Sequence, residues 1–392
     1  MIYLDNSSTT QVKAEVAEKT VNAMTKDFGN PSSLHRLGLN AEKIVKESRA
    51  IIAKAVNADP SEIYFTSCGT ESDNTVIKSV VESGKYRGKK IITTEVEHPA
   101  VLKPCEWAEA KGYTVIKIPV NKNCMIDLEA LEDALDADTL LVSVMAVNNE
   151  VGSVMPLEKL RELITKKAPQ ALFHTDAVQA FEKTELDVKK LGLDFLSISG
   201  HKIHAPKGIG ALYVKKSVHV PPFMLGGGQE SQFRSGTESV PLIAGFGEAV
   251  RLAEADKAAR IKHIRETRDY LKEGIIKTFG ERAQINSPGD GVCSILNVSF
   301  TGCRGEVLLH MLEENGIYVS TGSACSSNSK KKGSHVLRAM GLSDDAIEGA
   351  IRFSLSEFNT KDEMDQVLKT LKEVVDVHSA LLKLQHPGKF RA

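Results

Sequence analysis

The chain has 392 residues, of which 42% are hydrophobic and 26% charged, a composition that suits a globular protein with one large core and a smaller one. Its 50 basic and 51 acidic side chains leave a formal net charge of -1, so no nucleic-acid partner is indicated. No apolar run approaches the roughly 20 residues that cross a bilayer, which argues against a membrane protein.

The N-terminal sequence and the cysteine spacing indicate the cellular compartment of the protein. Residues 1–6 lack the basic and apolar regions of a signal peptide. No two cysteines lie at CxxC spacing, so neither a zinc site nor a disulfide framework is expected. The cysteines are Cys68, Cys105, Cys124, Cys293, Cys303 and Cys325. We therefore expect a cytoplasmic protein with reduced thiols. His201 and His204 have HxxH spacing but no evident third ligand, so no metal site is predicted.

Hydrophobic periodicity predicts two helices near the N-terminus, from Val12 to Met24 and from His35 to Val56. Short β-rich runs then alternate with helical stretches, which indicates an α/β fold with a mostly parallel seven-stranded sheet flanked by helices. The candidate strands are Ile63–Thr66, Lys90–Thr94, Thr114–Val120, Thr139–Val147, Ala171–Asp176, Phe195–Ser199 and Gly210–Val214. The candidate helices between them include Glu71–Glu82, Ala100–Ala110, Leu128–Leu135 and Leu157–Thr165.

A smaller α/β unit is predicted to follow this sheet. One long helical stretch from Pro241 to Thr278 is interpreted as the connector between the two units. Strands are predicted near Ser294–Phe300, Tyr318–Thr321 and Ile351–Leu355, with helices near Glu306–Asn315 and Asp362–Val377. We therefore predict a large domain over residues 15–255 and a small domain formed by residues 1–14 and 256–392.

The chain passes from a predicted strand into a helix at Phe65–Glu71. Gly69 allows a tight turn and Thr70 can cap the helix, so the first N–H groups would face an anion such as a phosphate. A helix cap without a ligand also fits this motif. The absence of GxxxxGK[ST] and GxGxxG motifs disfavours mononucleotide- and dinucleotide-binding folds.

Two polar motifs follow other predicted strands. His98 would stack on an aromatic ring or transfer protons near neutral pH, although a helix-capping histidine fits equally well. Asn148 begins the sequence Asn-Asn-Glu-Val-Gly, in which one amide would bond a cofactor oxygen. A simple turn is the alternative for this motif.

Asp176 and Lys202 end two consecutive predicted strands, and their spacing suits a short helical connection. A buried carboxylate at Asp176 needs a cationic partner, such as a protonated pyridine nitrogen. The Lys202 amine, which follows an apolar strand in Ser199–Lys202, suits a Schiff base with an aldehyde cofactor. A surface lysine would also fit that sequence taken alone, so the pair is more specific than either residue.

Three residues later in the chain are also candidates for ligand binding or catalysis. Thr237 lies in the loop Phe233–Glu238, which would contact the same phosphate within one chain or across a dimer. Cys325 lies among small polar residues near three lysines, which is typical of a reactive thiol, although an incidental loop cysteine also fits. Arg352 lies in an apolar strand and would bind a substrate carboxylate in bidentate geometry.

Taken together, these motifs resemble the NifS/IscS-type cysteine desulfurases, pyridoxal 5'-phosphate (PLP) enzymes of the class V aminotransferase group. The resemblance runs from Tyr3 to about Thr360, with the motifs in the family's order. The long serine-rich segment around Cys325 is similar to the NifS/IscS subgroup and not to the SufS-like one. The motifs are Thr66-Ser67-x-Gly69-Thr70-Glu71-Ser72, Glu97-His98, Asn148-Asn149-Glu150-Val151-Gly152, Ser199-Gly200-His201-Lys202, Arg234-Ser235-Gly236-Thr237 and Ser323-Ala324-Cys325.

The resemblance implies the PLP-dependent transferase fold type I and a role for each matching residue. Lys202 would bind PLP covalently, and Cys325 would accept sulfur as the second catalytic residue. His98 would be catalytic and would stack on the cofactor ring. The remaining cofactor contacts would come from Gly69, Thr70, Asn148, Asp176, Gln179, Ser199, His201 and, from a second subunit, Thr237. Substrate contacts would come from Asn30, Asn148 and Arg352.

The implied reaction converts L-cysteine to L-alanine and leaves a persulfide on Cys325 of a homodimer. The sulfur would pass to an acceptor such as an iron–sulfur scaffold or a tRNA-thiolation protein, and Cys325 would contact a cluster only during transfer. Alternatives are a selenocysteine lyase or an aminotransferase of the same fold, or a non-catalytic sulfur carrier. Two departures from the family are Cys68 in the phosphate turn and the short C-terminal segment 381–392, which leaves the acceptor open.

Overall fold

The computed structural model describes residues 1–321 and 333–385, and within them strands and helices alternate along most of the chain. The strands are β1 (Ile2–Tyr3), β2 (Ile63–Thr66), β3 (Lys90–Thr94), β4 (Thr114–Ile118), β5 (Thr139–Ser143), β6 (Leu172–Asp176), β7 (Phe195–Ser199), β8 (Gly210–Val214), β9 (Ala283–Ile285), β10 (Ile295–Phe300), β11 (Ile317–Tyr318) and β12 (Ala350–Ser354). The helices are α1 (Ala14–Thr25), α2 (Arg36–Ala55), α3 (Gly69–Glu82), α4 (Pro99–Ala110), α5 (Leu128–Ala134), α6 (Leu157–Lys167), α7 (Val240–Ala255), α8 (Lys257–Phe279), α9 (Gly305–Glu314), α10 (His335–Ala339), α11 (Asp344–Glu348) and α12 (Lys361–Gln385).

A seven-stranded sheet in the order β2-β8-β7-β6-β5-β3-β4 forms the centre of the larger unit. Strand β8 is antiparallel to β2 and β7, and all other neighbouring strands are parallel. Strands β5 to β8 are buried along their whole length, which explains their nearly continuous apolar sequences. The predicted fold class is confirmed, and every predicted strand of the large sheet is found in it.

The sheet separates two hydrophobic cores because successive side chains of a strand point to opposite faces. Ile91 and Phe195 pack on one face with apolar residues of α3 and α4. Ile92 and Leu196, the next residues in each strand, belong to the larger core on the other face. Both faces of the sheet are therefore covered, and only its strand ends remain for a site.

The smaller unit is built on an antiparallel sheet in the order β12-β10-β9. Helices α8 and α9 contact this sheet, and α12 packs against both helices. Strand β9 was not predicted, since three residues are too few for a periodic pattern. The strand predicted near Tyr318–Thr321 is found in part: β11 ends at Tyr318 and pairs in parallel with the N-terminal β1, and Ser320 forms a single bridge to Arg352 of β12.

The predicted long helix over 241–278 is two helices, since Asp256 has φ -139 and ψ 25 and separates α7 from α8. The break follows from packing: α7 lies against α1 and α2, whereas α8 lies against α12. The short helix expected between Asp176 and Lys202 is also absent. That connection contains single turns, and Glu182 at φ 62 prevents their extension into a helix.

In the described part of the chain, no helix combines the length and the apolar character needed to cross a membrane.

We expect Phe173→Ala to lower the free energy of unfolding by about 3–5 kcal/mol, because the ring is fully buried on strand β6 and its removal leaves a cavity. Denaturant titration of the purified protein would measure the loss. Val377→Ala is the control, since this side chain is 51% exposed and its truncation should change stability by less than about 0.5 kcal/mol. Equal losses in the two variants would contradict the buried position of Phe173.

Candidate active site

A cavity of about 320 Å³ lies at the carboxyl ends of the central strands of the large sheet, where sheets of this type bind ligands. Asp176 ends β6, Ser199 ends β7, and Gly69 begins α3 at the same edge. Strand β12 of the smaller unit closes the other side with Arg352. Of the predicted site residues, those that line the cavity are Gly69, Thr70, His98, Asp176, Gln179, Ser199, His201, Lys202 and Arg352.

Lys202 enters the cavity from the single turn Gly200–Lys202 that follows β7. Its Nζ donates hydrogen bonds to the carbonyl oxygens of Ser7 at 2.6 Å and Ser8 at 2.7 Å. Burial, together with the positive charges of Arg352 and Lys183, lowers the pKa of Lys202 to about 7. A substantial fraction of the amine is therefore neutral near pH 7, which is the form that reacts with a carbonyl carbon.

Asp176 is only 7% exposed and has no ion-pair partner among residues 1–321 and 333–385. Its Oδ1 accepts the backbone N–H of Val178 at 2.9 Å, yet burial still raises the pKa of the carboxyl group. A buried carboxylate without a cation is costly unless a ligand supplies one. This end of the cavity therefore fits a protonated ring nitrogen.

Another part of the cavity, around the start of α3, offers hydrogen-bond donors to an anion. Helix α3 starts at Gly69, and Cys68 before it makes no side-chain cap, so the first-turn N–H groups lack that partner. Ser199 Oγ is buried and has no hydrogen-bond partner. A Cβ atom at Gly69 would lie 2.5 Å from Val178 Cγ2, so a side chain would not fit there. This arrangement fits a phosphate group.

The histidines of the cavity are neutral. Burial, with the charge of Lys202, lowers the pKa of His201 to about 4, and its Nδ1 lies 3.2 Å from Thr9 Oγ1. Burial also lowers the pKa of His98, whose Nδ1 accepts the N–H of Ala100 at 3.1 Å and caps α4. Because Nδ1 accepts, the neutral ring of His98 carries its proton on Nε2.

Gln179 is held by the N-terminal segment and by a neighbouring lysine. Its Nε2 donates to the carbonyl oxygen of Ser7 at 2.9 Å, and its Oε1 accepts from Lys183 Nζ at 3.5 Å. The side chain is 5% exposed and lines the cavity, so it is fixed before any ligand arrives.

Arg352 is 6% exposed and bridges several parts of the site. Its Nη2 donates to Asp5 Oδ1 at 2.9 Å and to Ser8 Oγ at 2.7 Å, and its Nη1 donates to the carbonyl oxygen of Asn149 at 2.9 Å. Its buried Nε has no hydrogen-bond partner. The guanidinium therefore keeps donor capacity toward the cavity and already holds one carboxylate, that of Asp5.

Three of the described site residues that the sequence predicted do not line the cavity. Asn148 is fully buried, and its Oδ1 accepts the N–H groups of Glu150 and Val151, so this side chain organises a turn and the neighbouring Asn149 lines the cavity. Asn30 is not among the cavity residues and accepts the N–H of Ser32. Thr237 lines a separate recess beside β2. Cys325 lies outside the described residues.

Several cavity residues were missed by the sequence analysis. Asp73 is 1% exposed, and its Oδ1 has no hydrogen-bond partner. Its signal was available, since an acid on the stripe of α3 that also carries Val76 and Ile77 is out of place. Glu150 also lines the cavity; its motif was quoted in the sequence analysis, but the residue was given no role. The other missed residues with polar side chains include Ser7, Ser8, Ser320, Thr321, Ser334 and His335.

No group of histidine, cysteine, aspartate and glutamate side chains within the described ranges is arranged to hold a metal ion.

Comparison with known proteins places this architecture in a family. The profile of class V aminotransferases matches residues 2–367. The protein named cysteine desulfurase IscS from Methanosarcina thermophila is 43% identical over 375 residues, which are 95% of this chain and 92% of that relative. A cysteine desulfurase from Trichormus azollae is 42% identical over 381 residues, with 97% and 94% covered.

Solved structures agree with these relatives in sequence and fold. A NifS-like protein superposes with a TM-score of 0.90 at 40% identity, covering 96% of this chain and 99% of that one. The structure described as SspA in complex with cysteine superposes with a TM-score of 0.80 at 33% identity, covering 92% and 100%. The matches include both units and every strand around the cavity, and the chain therefore belongs to the class V aminotransferase family.

Proposed function

We propose that this protein is a PLP-dependent cysteine desulfurase that takes sulfur from L-cysteine and releases L-alanine. The observation that carries the proposal is the position of Thr321 and Ser334, which lie on either side of the segment containing Cys325 and both line the cavity entered by Lys202. A thiol between these two residues in the sequence would serve sulfur transfer, whereas transamination needs none. Relatives named cysteine desulfurases over nearly the full chain support this reading.

Members of this family use PLP, and the residues of the cavity fit it. Lys202 would hold the cofactor covalently, Asp176 would face the ring nitrogen, and Gly69, Thr70, Ser199 and His201 would hold the phosphate. His98 would stack on the ring, and Gln179 would bond the ring oxygen. When bound, PLP supplies a carbonyl carbon for the substrate amine and a ring that withdraws electrons from the α-carbon.

Recognition of the substrate falls to Arg352. Its guanidinium binds the Asp5 carboxylate, and the α-carboxylate of L-cysteine would take over this interaction or use the buried Nε that has no partner. We keep Asn30 and Asn148 as proposed substrate contacts, Asn148 also as a cofactor contact, although each would have to change its present hydrogen bonds.

Proton transfer falls to Lys202 and His98. Lys202 Nζ, which lies in the cavity and has a pKa of about 7, would take the α-proton of the substrate and return it. His98 can donate from Nε2, since its Nδ1 is occupied by Ala100. The Cys325 thiolate would attack the substrate sulfur. The carbon–sulfur bond breaks, a sulfur–sulfur bond forms on Cys325, and a proton completes the methyl group of alanine.

We also propose a homodimer in which Thr237 contacts the cofactor phosphate of the other subunit. Large apolar side chains are exposed in residues 21–39 and 223–225, with Leu34 at 94% and Leu225 at 86%. The ion pair between Arg49 of α2 and Glu230 at 2.7 Å joins helix α2 to the loop that follows residues 223–225. Thr237 does not line the cavity of its own chain, which is consistent with a role in a partner's cavity.

The persulfide sulfur would pass to an acceptor protein for iron–sulfur cluster or other sulfur-compound synthesis, such as a scaffold or a tRNA-thiolation protein. The names of the relatives identified as IscS support this class of acceptor. We propose that the protein works in the cytoplasm, where reduced thiols are the rule. The described cysteines form no disulfide, which is consistent with that compartment.

We expect Cys325→Ala to release sulfide and alanine from L-cysteine roughly a thousandfold more slowly than the wild type, because the sulfur then has no acceptor on the enzyme. Sulfide and alanine are measured in the presence of a reductant, together with the yellow colour of bound cofactor. The control is Cys303→Ala, a buried cysteine that does not line the cavity, which should keep full turnover.

Equal sulfide and alanine from the wild type, with neither from a yellow Cys325→Ala protein, would support the persulfide route. Continued turnover by Cys325→Ala would contradict it and favour a lyase. Loss of the amino group of cysteine to a keto acid acceptor would favour an aminotransferase.

We expect Leu34→Asp to shift the protein from dimer to monomer and to weaken PLP retention, since a charge in an apolar interface is left unpaired. Light scattering measures the mass, and absorbance after gel filtration measures the retained cofactor. Val377→Asp, which places the same charge at an exposed apolar site on α12, should change neither. A monomeric variant that keeps PLP as tightly as the wild type would contradict the role of Thr237.

A further inference from the structure

Glu150 is a buried acid in the cavity wall for which the proposed reaction has no use. It is 4% exposed and lies in the turn Asn148–Gly152 beyond β5. Its backbone N–H is bound by Asn148 Oδ1 at 2.9 Å, and its carbonyl oxygen accepts from Asn297 Nδ2 at 3.2 Å. The backbone of Glu150 is therefore held on both sides, so its carboxyl group is a fixed point of the large unit.

The partner of this carboxyl group is Ser334, which directly precedes α10. Ser334 Oγ donates to Glu150 Oε2 at 2.5 Å and accepts the N–H of Leu337 at 3.0 Å. One hydroxyl thus caps α10 and ties its start to the large unit. The next residue adds a second tie, because His335 Nε2 lies 3.0 Å from the carbonyl oxygen of Glu97.

The turn Asn148–Gly152 is also linked to Ser320, which precedes the Cys325 segment in the sequence. Ser320 exchanges two backbone hydrogen bonds with Arg352, at 3.2 Å and 2.7 Å. Arg352 in turn donates to the carbonyl oxygen of Asn149, the neighbour of Glu150. Residues 149 and 150 therefore hold Ser320 through Arg352 and hold Ser334 directly. Both contacts lie at the cavity wall.

We infer that Glu150 is a positioning residue for sulfur transfer, whose carboxylate fixes Ser334 and the start of α10 at the cavity. The inference rests on the proposed function, since it assigns Glu150 to the step that uses Cys325. Glu150 acts through Ser334 and needs no contact with substrate or cofactor. Its effect should therefore fall on the turnover of bound substrate and not on substrate binding.

The charge of Glu150 makes this contact sensitive to pH. Burial raises the pKa of Glu150 to about 7, although the hydrogen bond from Ser334 and the charge of Arg352 both favour ionisation. The Cys124 thiol is the other titratable group that interacts with it. A hydrogen bond to an ionised carboxylate is stronger than one to a neutral acid, so the Ser334 contact strengthens as pH rises through about 7. Loss of Ser334 removes a group that favours ionisation and so raises the pKa of Glu150 further.

The test compares Ser334→Ala and Glu150→Gln with the wild type in the PLP-loaded full chain. We expect Ser334→Ala to lower kcat for sulfide release roughly tenfold, with the KM for L-cysteine and the PLP content unchanged. In profiles from about pH 6 to about pH 9, we expect two ionisations in the acid limb of kcat, that of Lys202 and that of Glu150, each with a pKa of about 7. The part due to Glu150 should move to higher pH in Ser334→Ala. In Glu150→Gln the limb should become less steep, because only the ionisation of Lys202 remains. Amide hydrogen exchange at 335–339 should become faster in Ser334→Ala.

Ser343→Ala is the matched control. Ser343 caps the five-residue helix α11 by accepting the N–H of Ala346 at 3.3 Å, as Ser334 caps the five-residue α10, but it makes no contact with Glu150. It should lose cap stability only and keep the wild-type kcat and pH profile. The inference is overturned if Ser334→Ala and Ser343→Ala give the same kcat and the same profile. It is also overturned if Ser334→Ala raises KM or loses PLP in proportion to kcat.

Failure of the proposed function gives a different result. A wild-type protein that releases no sulfide from L-cysteine would refute the desulfurase itself, whatever the variants do. The hydrogen-exchange comparison at 335–339 then still decides whether Glu150 and Ser334 hold α10.

Discussion

The burial of a lysine amine at the end of a sheet strand is the constraint on which the rest of this structure depends. Lys202 Nζ is held by the carbonyl oxygens of Ser7 and Ser8, so the N-terminal segment must lie across the strand ends. In the same segment, the carbonyl oxygen of Ser7 accepts a hydrogen bond from Gln179, and the carboxylate of Asp5 accepts one from Arg352. One short stretch of chain therefore completes the site and joins the large unit to the small one.

Several buried polar groups in and around the cavity are neutral or lack a partner, which is expensive in a buried site. Burial raises the pKa of Glu97 to about 8 and lowers the pKa of His174 to about 3. Among the described residues, Asp176 has no ion-pair partner and is not part of a group that could hold a metal ion. Holding these groups in a preformed site lowers the stability of the folded protein. Binding of a ligand with both a cationic ring and an anionic group would raise that stability again. A cofactor bound only by the folded state is thus also a structural component.

The hydrogen bond between Ser334 and Glu150 is a second buried polar contact at the cavity, and we propose that it serves sulfur transfer. Catalysis by two groups from different units requires each to be held relative to the other within a fraction of an ångström. In the proposed reaction these groups are Lys202, which follows β7 of the large sheet, and Cys325, which lies between Thr321 and Ser334 in the sequence. Glu150 and Arg352 are buried ionisable residues that make contacts between the two units at the wall of the cavity.

The sequence by itself determined the seven strands, the polar residues that end them and the family, because these features are local patterns of apolar runs, glycine turns and motifs. It could not determine how Asn148, Arg352 or Ser334 are used. The Arg352 contact to Asp5 joins residues 347 positions apart, and the Ser334 contact to Glu150 joins residues 184 positions apart. Hydrogen bonds of this kind depend on where two units meet, and packing also divided the predicted helix at Asp256. Only the tertiary structure shows these contacts, because the local sequence around each residue does not indicate a partner so distant in the chain.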